Sequence, residues 1–337
     1  RKIAVGIVNW LHEMGVEDKL TIGVGRDSRL SGQKLQEALI EELVSCGVDV
    51  YDFGLATTPS LFMSTQFTQF SCDAGIMLTA SHLPYYYNGV KVFSQKGGAE
   101  KEDITYILSH TETKEQADVG TITKADLLTV YANDLVEKIR AASKQNIEKP
   151  LADFKIIVDA GNGGGGFFAE KVLQPLGADT TGSQFLEPDG NFPNHVPNPN
   201  NQEAMESIQK AVLANQADLG VIFDTDVDRS AVVTKSGDLL NRTNLVAVLS
   251  RIILAEHPGT SIVTNSPTTD HVKVFIESLG GKQVRYVSGY RNVINKALEL
   301  NRAGIDSQLA VETSGHAAFK ENYFLDDGAY MVAKILM

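Results

Sequence analysis

A serine stands where a buried strand breaks off. Ala74-Gly75-Ile76-Met77-Leu78-Thr79 is a short apolar run, and Ala80-Ser81-His82-Leu83-Pro84 followed by Tyr85 and Tyr86 interrupts it. Ser81 therefore falls at the C-terminal end of a strand, the edge at which open α/β sheets bind ligands, so its hydroxyl can serve as a nucleophile or phosphate carrier. A plain Ser/Pro turn accounts for the same residues equally well. A loop far downstream shifts the balance. Leu219-Gly220-Val221-Ile222-Phe223 runs into Asp224-Thr225-Asp226-Val227-Asp228-Arg229. Three carboxylates at alternate positions repel one another unless a cation sits among them, and hard oxygen ligands favour Mg²⁺. The competing reading is a solvated acidic turn. A calcium EF-hand loop fits poorly, because Arg229 stands where its sharp turn needs Gly and Lys235 where its bidentate Glu belongs.

Three more stretches carry polar groups at strand or helix ends. Glu312-Thr313-Ser314-Gly315-His316 follows Leu309-Ala310-Val311; its carboxylate and hydroxyl can bracket adjacent sugar hydroxyls, or form a cap and a turn. Ser288-Gly289-Tyr290-Arg291 lies at a strand-to-helix junction, where backbone N–H groups and a guanidinium can meet a phosphate. Phe154-Lys155-Ile156-Ile157-Val158 runs into Asp159 and a Gly-rich segment in which Gly161, Gly163 and Gly166 satisfy G-x-G-x-x-G, the context of a dinucleotide fingerprint. Against that reading, Asp159 brings a charge to where pyrophosphate would approach, and close strand-to-helix packing explains the glycines without a ligand.

Taken in order, these motifs resemble the α-D-phosphohexomutases, the phosphoglucomutase and phosphomannomutase family. Thr79-Ala80-Ser81-His82 with Asn88-Gly89-Val90-Lys91 is similar to that family's phosphoserine loop, and Asp224, Asp226, Asp228 and Arg229 resemble its magnesium loop. Glu312 to His316 resembles the sugar-binding loop, and Pro193-Asn194-His195 with Pro197-Asn198-Pro199 a further family stretch. The resemblance implies a phosphoryl group on Ser81, Mg²⁺ held by Ser81 and the three Asp, and exchange between C1 and C6 through a hexose 1,6-bisphosphate that is both intermediate and activator. It makes Ser81, His82, Lys91 and Arg229 catalytic, with His82, Lys91 and His316 as candidate proton carriers. Glu312, Ser314, His316, Gly289 and Arg291 would bind substrate. Leu83 stands where the family has Asn, and the loop around Gly289 also departs from the family's pattern, so glucose, mannose and glucosamine phosphates all stay open as substrates. The family carries a fourth, C-terminal domain with a phosphate-gripping loop and an N-terminal Arg-containing segment. The expectation is that this chain lacks both and turns over hexose phosphates poorly.

Two other enzyme classes compete. Asp224-Thr225-Asp226 carries the D-x-D of haloacid-dehalogenase-type phosphatases, with Asp224 as nucleophile, but that reading leaves the Ser81 and Glu312 loops idle. A dinucleotide-binding oxidoreductase would use the glycines at 161, 163 and 166. A non-catalytic sugar-phosphate binder is the third possibility.

The elements that must position these loops follow from periodicity. At 337 residues with 43% hydrophobic content the chain suggests two or three domains, and alternating strand and helix signals predict three tandem α/β modules with mixed sheets flanked by helices, facing a shared cleft. Boundaries are read at 1–128 for the phosphoserine-loop domain, 129–239 for the metal-binding domain and 240–337 for the sugar-binding domain. Lys34 to Cys46 reads as a helix with Leu35, Ala38, Leu39, Leu43 and Cys46 inward, and Arg26-Asp27 as an internal ion pair. Arg26, Arg29, Lys91, Arg229 and Arg291 lie beside loops, although each alone reads as a solvated charge. A net charge of −12 argues against nucleic-acid partners, and no apolar run approaches the ~20 residues of a membrane span. Cys46 and Cys72 read as small core residues, which with the absence of a secretory signal points to the cytoplasm. The oligomeric state is left open.

Overall fold

The apolar runs become the middle strands of three mixed sheets in a computed structural model that describes residues 1–112, 118–143 and 148–337. The chain divides into two units, Arg1–Tyr131 with Asp189–Asn191, and Ala132–Pro188 with Phe192–Met337.

The first unit contains α1 (Lys2–Glu13), β1 (Thr21–Arg26), α2 (Gly32–Ser45), β2 (Asp49–Leu55), α3 (Thr58–Met63), β3 (Ala74–Leu78), β4 (Val90–Ser94), β5 (Gly97–Gly98), α4 (Lys101–Ser109) and β6 (Ile122–Lys124). Its sheet runs β5-β4-β3-β1-β2-β6, parallel from β3 to β6 and antiparallel from β3 to β5. All five residues of β3 are buried, which explains why it reads as a continuous apolar run rather than an alternating one. Ile7 and Leu11 of α1, Leu39 and Leu43 of α2 and Ile22, Val24 and Ile76 of the sheet share one core. Leu35 departs from the helical-face expectation: it is 43% exposed. Gln36 takes the inward position, and the cost of burying its amide is met by hydrogen bonds to Asp52 Oδ1 (2.7 Å) and the Val24 carbonyl (3.4 Å).

Helix α5 (Leu127–Ala142) leads into the second unit, where β7 (Ile156–Asp159), α6 (Gln202–Asn215), β8 (Leu219–Phe223), β9 (Ser230–Thr234) and β10 (Leu239–Leu240) build a sheet ordered β10-β9-β8-β7. A π-helical turn, Phe168–Leu173, follows the Gly-rich segment. Then come α7 (Arg242–Glu256), β11 (Ser261–Asn265), α8 (Asp270–Ser278), β12 (Lys282–Tyr286), α9 (Tyr290–Arg302), β13 (Ser307–Val311), β14 (Ala317–Phe319) and α10 (Gly328–Leu336), with sheet order β12-β11-β13-β14. Asp327 caps α10 by accepting the Tyr330 N–H, and α10 packs against β8 and β9 as well as β14. The closing helix thereby ties the two sheets of this unit together. Both cysteines are free and buried. Among the described residues no helix is long and apolar enough to cross a membrane.

The Pro/Asn-rich stretch after Leu186 is pinned by a buried pair. His195 Nε2 lies 3.0 Å from each Asp159 oxygen, and Nδ1 lies 3.0 Å from the Val196 carbonyl. Burial disfavours the charged imidazole, but the Asp159 carboxylate outweighs it and holds His195 above its ordinary pKa. Asp159 also accepts from the Gly161 N–H (2.9 Å) and Gln184 (2.7 Å). Because the folded pKa is raised, the pair supports the fold fully below about pH 6.5, the ordinary imidazole value, and that support is lost as pH rises through the elevated folded value. Thermal midpoints followed across that window should fall with pH more steeply for the wild type than for His195→Gln. Parallel slopes would contradict this assignment.

Candidate active site

Ser81 lies just past the end of β3 with φ of 50°, in the left-handed region that residues other than Gly seldom occupy. Its Oγ is 3.3 Å from His82 Nδ1. Lys91 sits on β4 directly opposite Met77 of β3, so Ser81, His82 and Lys91 gather at one end of the first sheet. Beneath them is an ion pair that differs from the one anticipated. The flexible part of Arg26 lies against Gly32 at the start of α2, and its guanidinium meets the Asp27 backbone carbonyl at 3.2 Å. The Asp27 carboxylate pairs instead with Arg29, Nε to Oδ2 3.1 Å, with both side chains fully buried.

The acidic loop is the connection of the β8–β9 hairpin, closed by the register of Phe223 against Ser230. Asp224, Asp226 and Asp228 are buried, and each offers an oxygen within 4.8 Å of the others. Arg229 lies on the same carboxylates: Nε and Nη2 are both 3.0 Å from Asp224 Oδ2, and Nε is 3.8 Å from Asp228 Oδ1. Burial opposes the Arg229 charge, yet the three aspartates, Asp224 foremost, hold its pKa above the ordinary value. Three carboxylates against one guanidinium leave two negative charges, and an all-oxygen donor set is the kind that Mg²⁺ prefers. The residues therefore fit a divalent cation. The hydrogen bonds from Arg229 to both oxygens of Asp224 also make that carboxylate a poor nucleophile, which weighs against the phosphatase reading.

The backbone of this loop is held in an unusual shape. Val227, β-branched, has φ of 67°, an outlier for its type. Its carbonyl accepts the Gly328 N–H (3.0 Å) at the start of α10, and the Gly164 N–H bonds the Thr225 carbonyl (2.8 Å). A Cβ on Gly163 would come within 2.8 Å of Thr225 Cα. The Gly-rich segment is thus a flat backing for the acidic loop, and its glycines are explained by packing rather than by a dinucleotide.

Glu312 ends β13 and joins two loops: Oε1 accepts the Gly289 N–H (2.7 Å) and Oε2 the Ser314 hydroxyl (3.1 Å). Gly289 caps α9, and Arg291 lies in that helix's first turn. The carboxylate of Glu312 thus occupies the helix N-terminus at which the sequence suggested a phosphate. His316 bonds Asp326 through Nδ1 and stacks on the Tyr290 ring at 5.2 Å. Burial disfavours its charge, but Asp326 prevails and the imidazole is pushed up to about 9. Asp228, His316 and Asp326 also lie within 4.8 Å of one another, so the sugar-type loop and the acidic loop share a neighbourhood. Sequence reading missed Asp326 and Tyr290. The available signal was a spare acid beside the capping Asp327, and an aromatic ring in a loop otherwise judged by its Gly and Arg.

Comparison with known proteins agrees with this arrangement. Models of the phosphoglucomutase/phosphomannomutase alpha/beta/alpha domains I, II and III match residues 1–118, 129–237 and 241–337 in that order. A phosphoglucomutase/phosphomannomutase of Thermococcus kodakarensis is 32% identical over 341 residues, covering 99% of this chain and 72% of that protein. This chain belongs to the phosphoglucomutase/phosphomannomutase family. A phosphomannomutase/phosphoglucomutase of Pseudomonas aeruginosa is 34% identical over 317 residues, 94% of this chain, and the chain spans 65% of that relative's length. The crystal structure of a phosphoglucomutase/phosphomannomutase family protein from Burkholderia thailandensis superposes with a TM-score of 0.84 at 30% identity, covering 99% of this chain and 71% of that one. The family's three α/β/α domains, each a mixed sheet between helices, are the architecture described above.

In this phosphohexomutase-family fold the Gly163–Thr225 contact carries a direct consequence. Gly163→Ala should lower stability by about 1–3 kcal/mol, as overpacking does, and raise amide exchange in residues 224–229 more than in β11 or β13. An unchanged thermal midpoint would show that the acidic loop does not depend on this backing.

Proposed function

We propose that the protein is a phosphohexomutase that moves a phosphoryl group between C1 and C6 of a hexose, with glucose or mannose phosphate as substrate and glucosamine phosphate as the runner-up. The observation that carries this reading is Ser81, a strand-end hydroxyl in the family's domain I, held in a left-handed loop beside His82. Ser81 takes the phosphoryl group and returns it, and a hexose 1,6-bisphosphate is the intermediate and activator. His82, at 3.3 Å from Oγ, and Lys91 on the neighbouring strand handle the serine proton. Asp224, Asp226 and Asp228 would hold Mg²⁺, with an oxygen of the phosphorylated Ser81 as a further ligand, and the ion would supply charge neutralisation for the transferring phosphoryl. Arg229 keeps the three buried carboxylates together and adds positive charge on the same side. Glu312 and Ser314 face hexose hydroxyls, with Gly289 and Arg291 on the adjoining helix start and His316 oriented by Asp326. We place the domain boundaries after residues 128 and 239, and the setting in the cytoplasm. Hexose phosphates are the partners this reading requires; a net charge of −12 speaks against nucleic acid.

Two measurements test the reading. Peptide mapping after incubation with hexose 1,6-bisphosphate should place the label on Ser81, and Ser81→Ala should abolish turnover. Label on Asp224, or wild-type turnover in Ser81→Ala, would exclude the mutase reading.

The metal prediction has opposite signs with and without the ion. Relieving repulsion in a trio of carboxylates, Asp226→Asn should leave the metal-free protein as stable as the wild type or more so, while abolishing the rise in thermal midpoint by which Mg²⁺ shows its stabilisation of about 2.7 kcal/mol at a hundredfold excess over Kd. An equal Mg²⁺ response in the variant would place the ion elsewhere.

A further inference from the structure

Arg29 is among the largest fully buried side chains of the molecule, at 1% exposure, and the sequence offers no apolar pattern to explain why an arginine should be there. A buried guanidinium is tolerated only where its charge is paired and its N–H groups are satisfied. Here Nε pairs with Asp27 at 3.1 Å. The remaining N–H groups go to a single loop: Nη1 to the carbonyls of Pro84 (2.7 Å) and Tyr87 (3.1 Å), Nη2 to those of Leu83 (2.8 Å) and Ser81. All five donors of the fork are thus used, four of them on the segment that carries Ser81.

The same pair also reaches the other side of Ser81. Asp27 Oδ2 accepts the Thr79 hydroxyl (2.8 Å), and Thr79 Oγ1 accepts the Ser81 N–H (2.9 Å). Ser81 is therefore gripped at its own N–H through Thr79 and at its own carbonyl by Arg29. Those two anchors fix the backbone on either side of Ser81, whose φ of 50° lies in the left-handed region that residues other than Gly seldom occupy.

We propose that Arg29 is a positioning residue for phosphoryl transfer at Ser81, its guanidinium gathering four loop carbonyls so that the hydroxyl is presented in the left-handed conformation seen here. The inference rests on the reading of Ser81 as phosphoryl carrier. Loading of that carrier breaks the bond from phosphorus to a hexose oxygen as the Ser81 Oγ–phosphorus bond forms, and the serine proton passes to the departing sugar oxygen. Arg29 takes no part in the bonds that change. Because Asp27 neutralises it, the pair presents no net charge to an incoming phosphate, so it governs the rate of transfer rather than the affinity for the phosphosugar. Lysine cannot replace it: an ammonium group has three donors, without the planar fork that reaches four carbonyls and a carboxylate at once.

The test uses the full 337-residue chain and radiolabelled hexose 1,6-bisphosphate, with the rate of Ser81 labelling followed against its concentration. Arg29→Lys should lower the maximal rate about ten- to a hundredfold, the loss expected for a misplaced reacting group, while the half-saturating concentration changes less than about twofold. Leu43→Ala, a core change in α2 remote from this loop, serves as the stability control: it should lower the thermal midpoint yet keep the maximal rate. Wild-type labelling by Arg29→Lys, a loss confined to half-saturation, or an equal loss of rate in Leu43→Ala would overturn the proposal. If Arg29→Lys does not fold, Thr79→Val, which cuts the link from Asp27 to the Ser81 N–H, should show the same rate-selective loss, and an unaffected rate there would overturn it. Absence of label on Ser81 in the wild type would instead remove the carrier reading, and this proposal with it.

Discussion

Three carboxylates within 4.8 Å of one another, all shielded from water, are the constraint to which most of the second unit answers. Bare repulsion at such separations, in a medium less polar than water, would open the β8–β9 hairpin unless positive charge and a rigid backbone held it shut. Arg229 supplies the charge from inside the loop. Gly163 and Gly164 lie flat beneath Thr225, and Gly328 at the start of α10 takes the Val227 carbonyl. The closing helix, although last in sequence, is thus part of what shapes a loop that ends more than ninety residues earlier. What these contacts do not supply is the remaining positive charge, which a divalent cation would.

The first unit solves a smaller version of the same problem. One buried carboxylate, Asp27, and one buried guanidinium, Arg29, cancel each other and then spend their remaining hydrogen bonds on the Ser81 loop. In both units a residue other than Gly sits in the left-handed region at the loop concerned, Ser81 in one and Val227 in the other. Strain of this kind persists only where neighbours over-determine it, and here the neighbours are identifiable hydrogen bonds.

What the sequence made legible was the set of strands that end in polar loops, since β3, β8 and β13 are buried on both faces and stop abruptly at Thr79, Asp224 and Glu312. Periodicity also located α2, to within two residues at either end. It failed where a polar group takes an inward position through long-range bonding. Leu35 obeyed the helical spacing yet faces solvent, because Gln36 found Asp52. Arg29 read as a solvated charge because its four carbonyl partners lie more than fifty residues away, and nothing local distinguishes a guanidinium that will meet four carbonyls from one that will meet water. The Asp326 partner of His316 escaped because it sits beside Asp327, an ordinary helix cap. The Gly-rich segment carried a correct pattern with the wrong implication, since tight packing and phosphate approach demand the same residue.

The central claim is that Ser81 gives its phosphoryl group to a sugar and not to water. It is tested most directly by isolating the labelled phosphoprotein, adding unlabelled glucose 1-phosphate with Mg²⁺, quenching rapidly and separating the products. The account predicts that label leaves Ser81 and appears in hexose bisphosphate and then in hexose 6-phosphate. Label released as inorganic phosphate, or retained on the serine in the presence of acceptor, would contradict it.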